Sequence, residues 1–190
     1  MILTQENEYA AVLDSSVLVP MPLCDTLLRL AEEPAMYRPL WSDQILREVG
    51  RVLKGIFGYT DAQSKRRLDA MAMAFPEATV TIPSGLPPSL SGIPDEGDRH
   101  VLAAAIRGHA HAIVTNNLKD FPADYLKQFD MLVQSPDDFL IHQFHLNPAQ
   151  ALEKLDAQAS GIRKSRPAII QLLRPMVPSF VGLVEKWSST

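Results

Sequence analysis

The sequence predicts an α/β fold in which a central five-stranded parallel sheet is covered by helices and followed by a helical C-terminal extension. Over roughly the first 134 residues, short apolar runs that suit buried strands alternate five times with helical patterns. This alternation is typical of a parallel sheet with helices on both faces. From Ser135 onward the sequence contains helical patterns only. We therefore predict an α/β domain over residues 8–134 and a helical extension over residues 135–190.

The first strand is predicted from the run Ala10–Leu13, which lies between the acids Glu8 and Asp14 and carries no charge. Apolar runs of this kind are typical of strands that are buried on both faces, as at the centre of a parallel sheet. A carboxylate at the carboxyl end of such a strand lies at the edge where these sheets bind ligands. Because Asp is also a common turn former, Asp14 has the alternative interpretation of opening the next turn.

Four further strands and four helices complete the predicted α/β domain. Ser42 is expected to cap a helix that ends near Gly55, and Gly108 to end another. The segment Pro83–Pro94 is rich in Pro, Gly and Ser and predicts a surface loop. The strands are predicted at Tyr37–Trp41, Ala78–Ile82, His111–Thr115 and Met131–Val133, and the helices at Leu23–Glu33, Asp43–Gly55, Asp61–Phe75 and Asp98–Arg107.

The extension is predicted from helix start and stop signals. Ser135 and Asn147 each stand directly before a proline, which is the pattern of a capping residue followed by the first helical position. Gly161 is expected to end the second of these helices, and Pro167 and Pro178 to begin two more. We expect these helices to pack on the α/β domain.

Composition and charge restrict the class of protein. With 190 residues, of which 46% are hydrophobic, the chain can form one sizeable core. The single cysteine, Cys24, excludes an intrachain disulfide and fits a reducing compartment. No run approaches the roughly 18 apolar residues of a membrane span, and the first ten residues do not resemble a signal peptide, so we expect a cytoplasmic protein.

The net charge of −4, from 18 basic and 22 acidic residues, argues against a protein that coats nucleic acid. It does not exclude a nuclease. Acidic side chains that hold a metal lower the net charge, while local patches of Lys and Arg can still contact phosphates.

Four acidic side chains and one amide are expected to converge at the carboxyl edge of the sheet. Asp14 ends a strand, Glu48 lies at the margin of a helix's buried face, Asp98 begins another helix, and Asn116 and Asp120 follow another strand. In a doubly wound sheet, the carboxyl ends of the strands and the loops after them lie along one edge. These residues are therefore candidate site residues although they are distant in sequence.

Asp98 is the most informative of these acids. Val101, Leu102 and Ala105 follow it at i+3, i+4 and i+7, so its carboxylate is expected to project from the inward face of its helix. Each acid also has an ordinary interpretation: Asp98 as a first-turn acid favoured by the helix dipole, Glu48 as a surface helix residue and Asp120 as a loop acid.

The absence of Lys and Arg beside Asp14 favours a metal site. Two carboxylates about 5 Å apart repel by roughly 3 kcal/mol at an effective dielectric constant near 20. A bound divalent cation removes this repulsion, and a set of oxygen ligands indicates Mg²⁺ or Mn²⁺.

These segments resemble a PIN domain, and in particular the branch that includes the VapC-type toxins of bacterial toxin–antitoxin pairs. The resemblance spans residue 10 to about 134 and is carried by Val12–Leu18, Glu48, Asp95–Ala105 and Ile113–Phe121. It implies a PIN-like three-layer sandwich, Mg²⁺-dependent endoribonuclease activity, RNA as substrate, a cognate antitoxin protein as partner and a homodimer. The helical tail resembles an extension that a subgroup of these proteins carries.

The resemblance also assigns roles to individual residues. Asp14, Glu48, Asp98 and Asp120 are the expected catalytic acids, and Asp14, Glu48, Asp98 and Asn116 the expected metal ligands. The fourth family acid falls near either Asn116 or Asp120, and Ser16 occupies a place where the family usually has Asn or another polar residue. The expected substrate-binding residues are Ser16, Thr115, Arg47, Arg51 and Arg99.

Several other interpretations remain open. The basic residues of these helices also suit ordinary solvated faces. PIN-like sites occur in structure-selective DNA nucleases, and a catalytically weak binding module is a further possibility, favoured by Asn116. His100, His109 and His111 would permit metal-free acid–base chemistry, but their places on a helix and beside a strand start predict surface positions.

Overall fold

The computed structural model describes residues 9–188 of the chain. Glu8, with which the predicted domain begins, and residues 189–190 of the predicted extension lie outside the described residues. Within residues 9–188, no helix is both long enough and apolar enough to cross a membrane.

Five parallel strands form one sheet in the order β3-β2-β1-β4-β5, which confirms the predicted architecture. The central strand β1 is fully buried along its length, as its uncharged sequence predicts. It is aligned so that Leu13 lies opposite Val114 of β4. The strands are β1 (Ala10–Leu13), β2 (Arg38–Ser42), β3 (Thr79–Val80), β4 (Ala112–Val114) and β5 (Leu132–Gln134).

Helices connect the strands and continue beyond the last of them. In the α/β part they are α1 (Ser15–Leu18), α2 (Met21–Ala31), α3 (Asp43–Gly55), α4 (Asp61–Ala74), α5 (Leu86–Ser89), α6 (Arg99–Arg107) and α7 (Ala123–Leu126). The C-terminal helices are α8 (Pro136–Leu146), α9 (Pro148–Gly161), α10 (Arg166–Leu173) and α11 (Pro178–Ser188). Short 3₁₀ turns occupy Glu96–Asp98, Leu118–Asp120 and Lys127–Phe129.

Capping hydrogen bonds explain where the long helices begin. The hydroxyl of Ser42 accepts a hydrogen bond from the Ile45 amide at 3.2 Å, and that of Ser135 from the Asp138 amide at 3.1 Å. The side chain of Asn147 accepts in the same way at the start of α9. Each satisfies a backbone amide that has no partner within its own helix. These three predicted helix starts are confirmed.

Two predicted segments differ from the structure, which also contains the short helices α1 and α7 that were not predicted. Strand β3 has two residues rather than the five of Ala78–Ile82, because it pairs with β2 alone at the edge of the sheet. The segment Pro83–Pro94 contains helix α5 and buries Leu90 and Ile93, so it is partly a packed element rather than only a surface loop.

The C-terminal helices pack on helix α2. The hydroxyl of Thr26 donates to Oε1 of Gln158 at 2.8 Å, and Nε2 of Gln158 donates to the Pro22 carbonyl at 3.0 Å. Both Thr26 and Gln158 are buried. Asp137 of α8 accepts hydrogen bonds from the amides of Ser179 and Phe180, which ties α11 to α8. The division of the chain between residues 134 and 135 stays a prediction.

Candidate active site

Asp14 follows β1 directly and is held by hydroxyl and amide donors. Its Oδ1 accepts a hydrogen bond from the Ser15 amide at 2.7 Å. Its Oδ2 accepts from the hydroxyl of Ser16 at 2.7 Å and from that of Thr115 at 2.8 Å. The side chain is only 5% exposed, so these bonds compensate the loss of hydration and fix the orientation of the carboxylate.

The register of the sheet explains why Thr115 reaches Asp14. Leu13 and Val114 are paired across β1 and β4, so the two residues that follow them leave the sheet side by side. Thr115 is fully buried. In this structure its hydroxyl therefore positions Asp14, and the predicted contact between Thr115 and substrate stays a prediction.

Asn116 and Ser16 form a second link between the two strand ends. The backbone amide of Asn116 donates to the hydroxyl of Ser16 at 3.0 Å, and the side-chain Nδ2 of Asn116 donates to the Ser16 carbonyl at 3.0 Å. Asn116 therefore fastens one loop to the other, and its side-chain oxygen is left as an available acceptor.

Replacing Thr115 with valine should destabilise the protein by about 1–3 kcal/mol, because the buried carboxylate of Asp14 would lose a donor with almost no change of shape. Urea unfolding measures this loss. Ser15→Ala is the matched control, since the Ser15 hydroxyl is 3.4 Å from Asp14 and only partly buried. We expect a change below about 0.5 kcal/mol for the control. Equal losses in the two variants would contradict the positioning role of Thr115.

Asp98 lies in the field of three other acids. The pKa of Asp98 is raised from 3.8 to about 6, first by burial and then by the negative charges of Asp120, Asp95 and Asp14 in that order, while His100 opposes the shift. Carboxylates act on one another in this way only at short range in a partly desolvated setting. Asp120, Asp95 and Asp14 therefore lie near enough to Asp98 to act on its charge, and their convergence on one metal stays a prediction.

Asp98 stands at the start of α6 but does not act as a capping acceptor. Its side chain makes no capping hydrogen bond at the start of α6. Asp95 makes such a bond instead, accepting from the Gly97 amide at 2.7 Å. The electrostatic effect of Asp95 on Asp98 was missing from the sequence prediction.

Glu48 faces a buried histidine rather than solvent. Its Oε1 lies 2.8 Å from Nε2 of His100, and its side chain is 22% exposed. His100 is only 3% exposed, so its predicted surface position is wrong. Neither ring nitrogen makes an aligned hydrogen bond among the described residues, so Glu48 and His100 are in short contact without a hydrogen bond of good geometry. His109 and His111 are exposed, as predicted.

The burial of His100 had a signal in the sequence. His100 begins an apolar run that extends to Ile106, and α6 is buried on most of its circumference as a result. A histidine that continues such a run at helical spacing belongs to the packed face. The run does not reveal that His100 contacts Glu48, because Glu48 lies on another helix.

The donor set at this edge of the sheet fits a hard divalent cation. Asp14, Asp98 and Asp120 supply carboxylate oxygens, and within residues 9–188 no Lys or Arg nitrogen lies within 4.0 Å of them. Oxygen ligands of this kind suit Mg²⁺ or Mn²⁺. Within these same residues 9–188, no group of three or more His, Cys, Asp or Glu side chains is close enough together to hold a metal ion by itself.

The predicted substrate-binding arginines occupy different settings. Arg47 and Arg51 are exposed on α3. Arg99 is engaged within the protein, because its Nη1 contacts Glu96 at 3.1 Å and its Nε donates to the Ile93 carbonyl at 3.3 Å. Whether any of the three contacts a substrate stays a prediction.

Comparison with known proteins agrees with this geometry. The family model of the PIN domain matches residues 10–119, which is more than half of the chain. A segment of 49 residues, 26% of the chain, is 57% identical to a protein of Mycobacterium tuberculosis named "Putative ribonuclease VapC50". The matched segment spans 29% of that relative's length. With β1, the acids of the sheet edge and the order of the strands all inside or beside the matched region, the chain belongs to the PIN-domain family.

Proposed function

We propose that the protein is a divalent-metal-dependent endoribonuclease that hydrolyses RNA phosphodiester bonds. The observation that carries this proposal is that Asp120, Asp95 and Asp14 act on the charge of Asp98, while within residues 9–188 no Lys or Arg nitrogen lies within 4.0 Å of Asp14, Asp98 or Asp120. Membership of the PIN-domain family and the short, highly identical match to a protein named as a ribonuclease support it.

Each acid has a distinct part in this proposal. Asp14 is held rigidly by Ser16 and Thr115, so it presents its charge in a fixed direction. Asp98 just before α6 and Asp120 in the loop after β4 would add charge. Glu48, whose carboxylate contacts His100, would contribute from α3. These side chains, with Asn116 as a further oxygen donor, would hold Mg²⁺ or Mn²⁺. When bound, such a cation activates a water molecule and stabilises the charge that develops on the departing oxygen.

The direct test is cleavage of a labelled RNA in the presence of Mg²⁺, compared with a DNA of the same sequence. RNA should be cut and Asp14→Asn should be inactive, whereas preferential cleavage of DNA would favour a DNA nuclease. A second candidate is a catalytically weak binding module. It is favoured by Asn116 and because, among residues 9–188, no three His, Cys, Asp or Glu side chains are close enough together to hold a metal ion. Calorimetry that detects no Mg²⁺ binding would support that module.

We also propose that the protein acts in the cytoplasm as the toxin of a toxin–antitoxin pair, as a homodimer and with a cognate antitoxin protein as partner. The support is the resemblance to VapC-type toxins and the name of the relative. Light scattering on the purified protein tests the homodimer. Growth arrest on expression in a bacterial host, absent with Asp14→Asn, tests the role as a toxin.

The identity of the fourth metal ligand can be tested with two variants. Asn116→Asp should tighten Mg²⁺ binding, because a carboxylate adds charge to the ligand set. It should also lower the stability of the metal-free protein, because an acid joins the cluster and the donor to the Ser16 carbonyl is lost. Asp120→Asn should weaken Mg²⁺ binding if Asp120 is a ligand. Titration calorimetry compares the two, and unchanged affinity in both would place both residues outside the ligand set.

A further inference from the structure

Helices α3 and α4 flank an open groove of about 730 Å³ on the surface. Four of its lining residues are basic, namely Arg47, Arg51, Lys54 and Lys65. Gly50 lies where the two helices meet, and a Cβ there would stand 3.3 Å from both Leu68 and Ser64. The lack of a side chain at Gly50 therefore lets the helices approach each other along the groove.

The basic residues of the groove differ in their partners. Lys54 lies 2.9 Å from Asp61, and Lys65 lies 2.6 Å from Asp69. Arg47 and Arg51 are exposed, and neither has a carboxylate within 4.0 Å in the part of the chain that the structure describes. Like charges at i and i+4 of a helix repel each other. The two guanidinium groups are therefore available to an external anion.

The position of the arginines on α3 relates the groove to the acids. At about 100° of rotation per residue, Arg47 and Arg51 lie about 100° and 60° around the helix from Glu48. Glu48 contacts His100 on α6, so its carboxylate does not neutralise the arginine one turn away. The unpaired guanidinium groups are therefore neighbours of an acid of the candidate active site on the same helix.

We propose that this groove binds the sugar–phosphate backbone of the RNA substrate, with Arg47 and Arg51 each contacting a phosphate. The inference rests on the proposed function, which supplies RNA as the ligand. A guanidinium group presents its donors as a fork that matches phosphate oxygens, and it stays charged at all relevant pH values. An RNA strand is favoured over an acidic protein segment because the groove lies on the helix that carries Glu48, a predicted member of a site suited to phosphodiester chemistry.

The test is the salt dependence of RNA binding, measured in EDTA so that the RNA stays intact. Fluorescence anisotropy with a short single-stranded RNA gives the binding constant across a range of NaCl concentrations. Each phosphate contact that is lost should reduce the slope of log K against log salt by about 0.7. We expect this reduction for Arg47→Gln and for Arg51→Gln, about twice that for the double variant, and roughly tenfold weaker binding at low salt for each single variant.

Lys65→Gln is the matched control, because it makes the same change of charge in the same groove at a residue that already has an acidic partner. Its slope should equal that of the wild type. Equal effects of the lysine and arginine variants would overturn the proposal, because the groove would then attract RNA only through its overall positive charge. Unchanged slopes in all variants would overturn the proposal as well. So would arginine variants that lose binding to poly-glutamate, a model of an acidic protein segment, while their binding to RNA is unchanged.

This experiment separates the groove from the proposed function. RNA binding that depends on the two arginines in a protein that never cleaves RNA would support the groove and overturn the nuclease. Cleavage with unaltered slopes would do the reverse. Melting temperatures equal to that of the wild type would show that the exposed substitutions leave the fold intact.

Discussion

Replacing Asp98 with asparagine should lower metal-stimulated RNA cleavage by at least about 100-fold while leaving the metal-free protein as stable as the wild type or more stable. The loss of activity follows from the removal of a charged oxygen ligand. The gain in stability follows because the variant removes a carboxylate on which burial, Asp120, Asp95 and Asp14 all act unfavourably. Cleavage of labelled RNA and thermal unfolding in EDTA measure the two effects.

The gain in stability should depend on pH in a defined direction. Because the pKa of Asp98 is raised from 3.8 to about 6 in the folded protein, its protonated form stabilises the fold below about pH 4. That stabilisation is lost as the pH rises through about 6. The melting temperature of Asp98→Asn should therefore exceed that of the wild type by more at pH 7 than at pH 4.

Asp95→Ala serves as the control for an acid with a capping role. It removes the acceptor of the Gly97 amide and should cost about 1 kcal/mol without metal. A similar loss of metal-free stability in Asp98→Asn would show that Asp98 is a structural residue rather than a member of a strained acidic cluster.

Cleavage products should carry 5′-phosphate and 3′-hydroxyl ends, and EDTA should stop the reaction completely. Attack of an activated water on the phosphate leaves the phosphate on the 5′ side of the downstream fragment. Ligation of the downstream fragment by an enzyme that requires a 5′-phosphate measures this directly. Restoration of activity by excess Mg²⁺ or Mn²⁺ is the control for damage by the chelator.

A 2′,3′-cyclic phosphate that forms in EDTA would contradict this mechanism and would indicate metal-free acid–base catalysis by histidine residues. The structure offers little for that alternative. His100 is buried against Glu48, and His111 precedes β4, stacks on Tyr9 and accepts a hydrogen bond from the Ala10 amide through Nδ1. His111 therefore stands at the amino edge of the sheet, whereas Asp14 stands at its carboxyl edge.

The sequence was sufficient for those features that depend on local signals. The uncharged run of β1, the cap at Ser42 and the proline and glycine signals of the extension each act over a few residues, and each predicted the element that is found. The parallel sheet followed from the alternation of elements. Because β1 and β4 are neighbours, the closeness of Asp14 and Asn116 was also accessible as a prediction.

Features that depend on contacts between distant segments were not accessible. Apolar spacing cannot show that His100 of α6 meets Glu48 of α3, because the contact depends on how two helices cross. Nor can it show that the segment Pro83–Pro94 lies on α7, where a Cβ at Gly92 would come within 2.2 Å of the Tyr125 ring. The position of such a packed loop depends on steric contacts with residues that are distant in the sequence.

The buried hydrogen bonds between α2 and α9 bear on how the C-terminal helices can be inherited. Gln158 reaches both the Thr26 hydroxyl and the Pro22 carbonyl, and Thr26 and Gln158 are each only 2% exposed. Without Gln158, the Thr26 hydroxyl would still reach the Pro22 carbonyl at 2.8 Å. Without Thr26, the buried Oε1 of Gln158 would have no donor, which costs about 1–3 kcal/mol. The extension is therefore not an interchangeable cassette: a PIN domain that acquires it by recombination must already offer a hydroxyl at the place of Thr26, or change at that place in the same step.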